Sequence, residues 1–235
     1  MALHAVQGNS LVRQAMDAVH GFIRDQGLRV GDTLPGEAHF AGQLGVSRAV
    51  MREAFGGLAA LRLIDVGNGR RARVAAIDGS VMATSLDHAI GTAQISVLEV
   101  WEVRRTLEAR TAELAAVNRS DAEAAEIVAL ADSIERDIDD MAAITRHDIA
   151  FHRAIARAAG NALLTQIIQS FGPLMQIAVP AAWRTRKTAA EQQAIIRQHQ
   201  QLAAAIMDRD AARAAHCMHG HFDASVASTL ANTDA

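Results

Sequence analysis

Apolar and polar positions along this chain fall mostly at helical spacing. Between residues 9 and 25, Val12, Met16, Val19 and Ile23 recur at steps of three and four, which predicts an amphipathic helix. "DQGLRVGDTLPGE" then holds three glycines and a proline, a turn-rich loop in which Pro35 and Glu37 open a second helix. That helix, "EAHFAGQLG", is short and stops at Gly45. Ser47 is placed to cap "SRAVMREAFGGLAAL", because its hydroxyl can accept an early backbone N–H. "LIDVGNGRRARVAA" sets β-branched residues around a Gly-Asn-Gly turn, the pattern of a two-stranded hairpin.

Helix, loop, short helix, tight turn, helix and hairpin follow the order of a winged helix-turn-helix. In the third helix, Val50, Ala54, Leu58 and Leu61 lie within about 80° of one another at roughly 100° per residue. Arg48 and Arg52 lie on the opposite side, about 40° apart. The expectation is one face that packs and one that presents two guanidiniums to a DNA major groove. A solvated arginine face on an ordinary surface helix is the alternative.

Residues 78–93 read as a linker with a short helix around 84–90. From Val97 onward the pattern is helical to the end. "SVLEVWEVRRTLEARTAELAAVN" is one long helix. Ser120 and Glu123 stand at capping-box spacing at the start of the next. A further helix over 139–159 is expected after a break near 141–145, and Gly160-Asn161 reads as a stop and restart. Pro173 and Pro180 are expected to divide the following segment, with helices over 188–207 and 210–230 completing the set. The fold class is therefore mainly α: a winged helix-turn-helix domain at 1–77, the linker at 78–93, and an all-helical antiparallel bundle at 94–235.

Composition supports this division. Apolar residues make up 50% of the 235 positions, enough for two cores, and only three prolines interrupt them. Cys217 is the single cysteine, so no internal disulfide framework exists and a reducing cytoplasm is expected. No apolar run approaches the length of a membrane span, so no membrane association is expected. Residues 1–77 carry nine arginines against six acids, a balance of +3. Residues 78–235 carry fourteen basic residues against twenty acids, a balance of −6. A small basic domain joined to an acidic one is the charge division of a nucleic-acid binder.

One pair of residues stands apart. Asp148 and His152, in "TRHDIAFHRAIARAAGN", sit four apart among apolar neighbours, close enough to share one metal ion. Alone, the pair fits a structural hydrogen bond equally well.

The stretch "LPGEAHFAGQLGVSRAVMREAFGGLAALRLI" followed by "GNGRRARV" closely resembles the DNA-binding domain of the GntR family of bacterial regulators. "EVRRTLEARTAELAA", "DIAFHRAIARAAGN", "HQQLAAAIMDRDAARAA" and "HGHF" resemble that family's all-helical FCD ligand-binding domain, as in the FadR subfamily. Together these pieces span residues 10–230. The resemblance implies a bacterial homodimer that binds a short palindromic operator in double-stranded DNA, more often as a repressor, and answers to a small metabolite, commonly a carboxylate. Carried over, Arg48 and Arg52 would contact bases or phosphates. Ser47 would cap the recognition helix, and Glu37 would orient one of its arginines. Asn68, Gly69 and Arg70 would form the wing tip near the minor groove. Ala38 and Ala49 depart from the family's usual residues at their positions, and Ala49 removes a hydroxyl contact.

The resemblance also implies one aspartate and three histidines around a single divalent ion. The matching positions are Asp148, His152, His199 and His221, with His219 as the rival for the last. Three imidazoles and a carboxylate suit zinc first, with nickel, cobalt or manganese as alternatives. Arg104 is the candidate for clamping an effector carboxylate with two parallel bonds, and Arg105 the runner-up; an ion pair with Glu102 or Glu108 is the alternative role for either. His147 reads as solvated, and Asn161 as a cap. Two rival functions remain: a DNA-binding protein whose ion merely braces the bundle, and a metal-dependent hydrolase. The hydrolase lacks a glutamate beside a ligand histidine to act as general base.

Overall fold

The computed structural model describes residues 11–67 and 69–230, and side chains through Ala224. The chain divides into two compact units, one ending at Val81 and one beginning at Met82.

In the first unit, α1 (Leu11–Asp25), α2 (Glu37–Leu44) and α3 (Arg48–Ala60) precede an antiparallel hairpin, β1 (Ile64–Gly67) and β2 (Arg70–Val74). Gly45 ends α2 in the left-handed region at φ 67°, a conformation costly for residues with a Cβ. Ser47 caps α3, its hydroxyl accepting from the Val50 N–H at 3.2 Å. Ala15 and Val19 of α1, Phe40 of α2, and Met51, Phe55 and Leu58 of α3 share one core. The packed face of α3 therefore differs from the sequence expectation. Met51 and Phe55 join Ala54 and Leu58, while Val50 is half-buried and Leu61 is 45% exposed beyond the helix end. The larger Phe55 ring, tilted against Phe40 at 5.9 Å, sets the helix rotation. The loop before α2 is also more ordered than its glycines suggest: Leu34 N–H donates to Ala72 O at 2.8 Å and Val74 N–H to Asp32 O at 2.9 Å, extending the hairpin by a short third segment.

The second unit is helical. α4 (Ser80–Gly91), which begins just before the boundary, is followed by α5 (Val97–Asn118), α6 (Asp121–Arg136), α7 (Met141–Ala158), α8 (Ala162–Ser170), α9 (Gly172–Arg184), α10 (Ala189–Met207) and α11 (Ala211–Leu230). Three of these helices start with complete capping boxes: Ser96 with Glu99, Ser120 with Glu123, and Thr188 with Glu191. α5 packs on α11 and α7, α6 on α7 and α10, and α10 on α11. Their shared core includes Phe151, Leu202, Ile206, Met218 and Phe222, all fully buried.

Two expectations about this unit need correction. No break occurs at 141–145, because α7 begins there; the Asp140 carboxylate accepts from the Ala142 and Ala143 N–H groups at 2.9 and 3.0 Å. Pro180 does not divide its segment but lies inside α9, while Pro173 stands at that helix's first turn, where its missing N–H costs nothing. The division falls instead between α8 and α9, which meet at 56°. Among the described residues no single helix is long and apolar enough to cross a membrane.

Candidate metal centre and nucleic-acid interface

The helix spacing of α7 puts Asp148 and His152 one turn apart on its inner face. α10 brings in His199 and α11 brings in His221. Each of the four offers a ligand atom, and those atoms all lie within 4.8 Å of one another. The three imidazoles are at most 5% exposed. Ring centroids are 4.5 Å apart for His199 and His221, and 5.2 Å for His152 and His221. Three imidazole nitrogens and a carboxylate oxygen gathered this closely are donors that would suit a divalent transition-metal ion. His219, the rival for the last position, is not among these four.

The rings of His199 and His152 are oriented by further partners. His199 Nδ1 faces Ile195 O at 2.8 Å and its Nε2 faces Asp148 Oδ1 at 3.2 Å. His152 Nδ1 bonds Glu108 Oε2. Glu108, which the sequence reading offered only as an alternative partner for an arginine, is fully buried. Its other oxygen accepts from Arg104 Nε at 2.6 Å.

The electrostatics suit a cation. Burial works against the Asp148 charge, but the His199 hydrogen bond and the three surrounding histidines outweigh it and hold the carboxyl far below the usual range. Burial, reinforced by His199 and His152, holds His221 well below the ordinary histidine range, which keeps its lone pair free of a proton at neutral pH. Burial also opposes the Glu108 charge, yet Arg104 and His152 keep that carboxyl below its ordinary value.

The group lines a cavity of about 30 Å³, whose wall also includes Trp101, Arg104, Trp183 and Arg186. Arg104 is 2% exposed and its guanidinium lies 5.1 Å from the ring centres of both Trp101 and Phe222. Arg105 is not brought to the cavity. One step round the helix, it pairs with Asp223 at 2.7 Å on the outside, where its side chain is 41% exposed. Arg186, which the sequence reading passed over, supplies the second guanidinium of the cavity wall. His147 is not solvated but half-buried, bonding Asp137 at 2.8 Å. Asn161 caps α8 as expected, accepting from Leu163 and Leu164 N–H.

In the first unit, Arg48 and Arg52 are both exposed on α3, while Met51 and Phe55 of the same helix are buried. Gly69 turns the hairpin at φ 71°, and Arg70 beside it is exposed. Glu37 is half-buried in the first turn of α2, and no ion pair joins it to Arg48 or Arg52 among the described residues. Asn68 lies outside the described residues.

Comparison with known proteins resolves what this pair of units is. Residues 11–74 match the model of "Bacterial regulatory proteins, gntR family", and residues 99–224 match that of the "FCD domain". The chain belongs to the GntR family, with an FCD domain. Members of this family are transcription regulators and not enzymes. This GntR protein is 30% identical to the Glc operon transcriptional activator of Escherichia coli (strain K12) over 199 residues, 82% of this chain and 78% of the relative. It is 28% identical to the galactonate operon transcriptional repressor of the same organism, over 65% of this chain and 69% of the other. Streptococcus agalactiae GntR shares the fold with a TM-score of 0.66, at 23% identity over 92% of this chain and 99% of that one.

Proposed function

We propose that this GntR regulator holds a divalent ion on Asp148, His152, His199 and His221 and senses a small carboxylate or sugar acid beside it. The observation that carries this reading is the meeting of four donor atoms from three helices at a buried point next to a guanidinium. Zinc suits three imidazoles and a carboxylate, as do nickel, cobalt and manganese. When bound, the ion supplies a positive charge with open positions that an acid can ligate. Arg104 is the residue to meet the same acid. One relative is named for a galactonate operon, and galactonate is a sugar acid.

The size of the cavity shapes the mechanism. About 30 Å³ holds an ion with a water or two, and not an acid of several carbons. An effector therefore enters by moving the wall, and α9 supplies much of that wall through Val179, Ala182 and Trp183. The free energy for switching is the effector's preference for the moved state over the resting one. In a homodimer, such movement would change the spacing of the DNA-binding heads over the two half-sites of a short palindrome. In this reading the DNA-binding part is 1–77, the linker 78–93 and the effector part 94–235. The DNA contacts are Ser47, Arg48, Arg52 and the wing from Asn68 through Arg70.

The same small volume favours a second reading, in which the ion only braces the bundle and DNA binding ignores metabolites. A thermal-shift screen of purified protein against small carboxylates and sugar acids, with and without chelator, separates the two. A shift that one acid causes and the chelator abolishes supports sensing at the ion. A shift that survives chelation keeps the pocket and reduces the ion to a brace. No shift from any acid favours the second reading.

A further inference from the structure

Glu108 is the most deeply buried acid of the bundle's interior, and burying a carboxylate is costly unless each oxygen is satisfied. Here the two oxygens serve two different functional groups. Oε1 accepts from Arg104 Nε and Oε2 meets His152 Nδ1. Arg104 and Glu108 lie four apart on α5, so one helix face delivers both the guanidinium and the carboxylate. His152 comes from α7.

We infer that Glu108 is the positioning residue of this site, fixing the proton of His152 on Nδ1 and holding Arg104 against the cavity at the same time. A carboxylate offers only acceptors, so the imidazole must present N–H to it. The lone pair then resides on Nε2, the nitrogen left to face the other ligands. A carboxylate behind a ligand histidine also raises the basicity of the ring and fixes its rotation. Because both bonds end on one carboxylate, a shift of Arg104 toward an acid in the cavity is felt at His152, and a shift of His152 toward an ion is felt at Arg104. Ion and effector sites are thus joined through a single side chain, and any coupling between them is reciprocal. This inference rests on the ion and effector reading above where it concerns affinity and coupling; the proton position on His152 does not depend on it.

An amide at 108 separates the two duties. Gln has one acceptor oxygen and one donor NH₂ on the terminal group. If the oxygen stays with Arg104, the NH₂ faces His152 Nδ1 and forces the proton to Nε2, which blocks the ligand lone pair. The reverse orientation would set the NH₂ against a guanidinium that has no acceptor, so the first is the one expected.

The test measures zinc affinity of the chelator-stripped full chain against a competing dye, and the His152 tautomer by ¹⁵N NMR of the metal-free protein. The wild-type ring is expected as Nδ1–H. Glu108→Gln is expected to move the proton to Nε2 and weaken zinc about tenfold to hundredfold. Glu108→Gln leaves Arg104 without a counter-ion, so Arg104→Met with Glu108→Gln removes both charges and keeps the tautomer question open to measurement if the single variant fails to fold. Glu102→Gln, exposed on the same helix, serves as control. Wild-type zinc affinity in a folded Glu108 variant, or an Nε2–H ring in the wild type, overturns the inference. A wild type that binds no zinc overturns the ion-binding reading instead, and Nδ1–H in that sample still supports Glu108 as the group that orients His152.

Discussion

His199 Nε2 stands 3.2 Å from Asp148 Oδ1, joining α10 to α7 at the edge of the cavity. This contact is a hydrogen bond, and both atoms would be ligands of an ion held here. Asp148→Asn keeps the shape and the hydrogen-bonding oxygen but removes the charge. Zinc affinity is expected to fall about tenfold or more, with the helical circular dichroism unchanged. Wild-type metal content in the purified variant, read by plasma mass spectrometry, would remove Asp148 from the site.

How far the sequence revealed this arrangement depended on what each residue needed from elsewhere in the chain. The caps at Ser47, Ser120 and Asn161 were legible because a cap is decided within three residues. The winged helix-turn-helix order was legible for the same reason, since each of its turns carries its own glycine, proline or serine. Glu108 was visible only as an alternative partner of Arg104. Its i, i+4 spacing was plain, but its burial depends on α7 arriving with His152, which no local pattern contains. Arg186 was missed because the segment around it reads as a polar helix end, and only the fold brings it beside Asp148. The rotation of α3 differs from the expected face of Val50, Ala54, Leu58 and Leu61 because that face leaves out Phe55, whose larger ring has more surface to bury. Arg104 and Arg105 could be separated only once Asp223 on α11 was seen to hold Arg105 outside.

Phe151 is fully buried and meets His199 edge-on at 5.2 Å and His152 at 5.6 Å. Its ring therefore supports two members of the candidate ion site as well as the core. Phe151→Ala is expected to cost about 3–5 kcal/mol through lost burial and the cavity left behind. Chemical denaturation of the metal-free protein measures this directly. The same variant is expected to bind zinc more weakly even where it remains folded, because both imidazoles lose a wall. A loss below about 1 kcal/mol would mean that the neighbouring helices collapse into the space.

The pH dependence of the metal-free protein follows from His221. Burial, then the charges of His199 and His152, keep its pKa well below the ordinary histidine value. The folded ring resists a proton that the unfolded chain accepts near pH 6.5. Between the lowered folded value and about 6.5 the unfolded state binds more protons, so stability rises with pH in that window. The His221 contribution is complete above about pH 7 and is lost as pH falls from there. The melting temperature of chelated wild type is expected to drop between pH 7 and pH 5, and that of His221→Gln to drop less. Parallel curves for the two proteins would exclude His221 as the source. Zinc binding is expected to weaken in the same direction, since protons compete for the imidazoles.

Arg48 and Arg52 are exposed on α3, while Met51, Phe55 and Leu58 of the same helix are packed in the core. A side chain that reaches a base edge and one that reaches a phosphate leave different traces. Loss of a base contact weakens the preferred duplex and spares unrelated sequence. Loss of a phosphate contact weakens both and lowers the salt dependence by about one unit of slope. Fluorescence anisotropy with a duplex selected from a random pool, repeated on a scrambled duplex and across salt concentrations, distinguishes them. Arg52→Ala is expected to weaken the selected duplex at least a few-fold at fixed salt. Arg48→Ala is expected to do the same, and the salt slopes assign each arginine to base or phosphate. Affinity unchanged in Arg52→Ala would take that residue off the recognition face, and unchanged affinity in both would move DNA contact from α3 to the wing around Gly69 and Arg70.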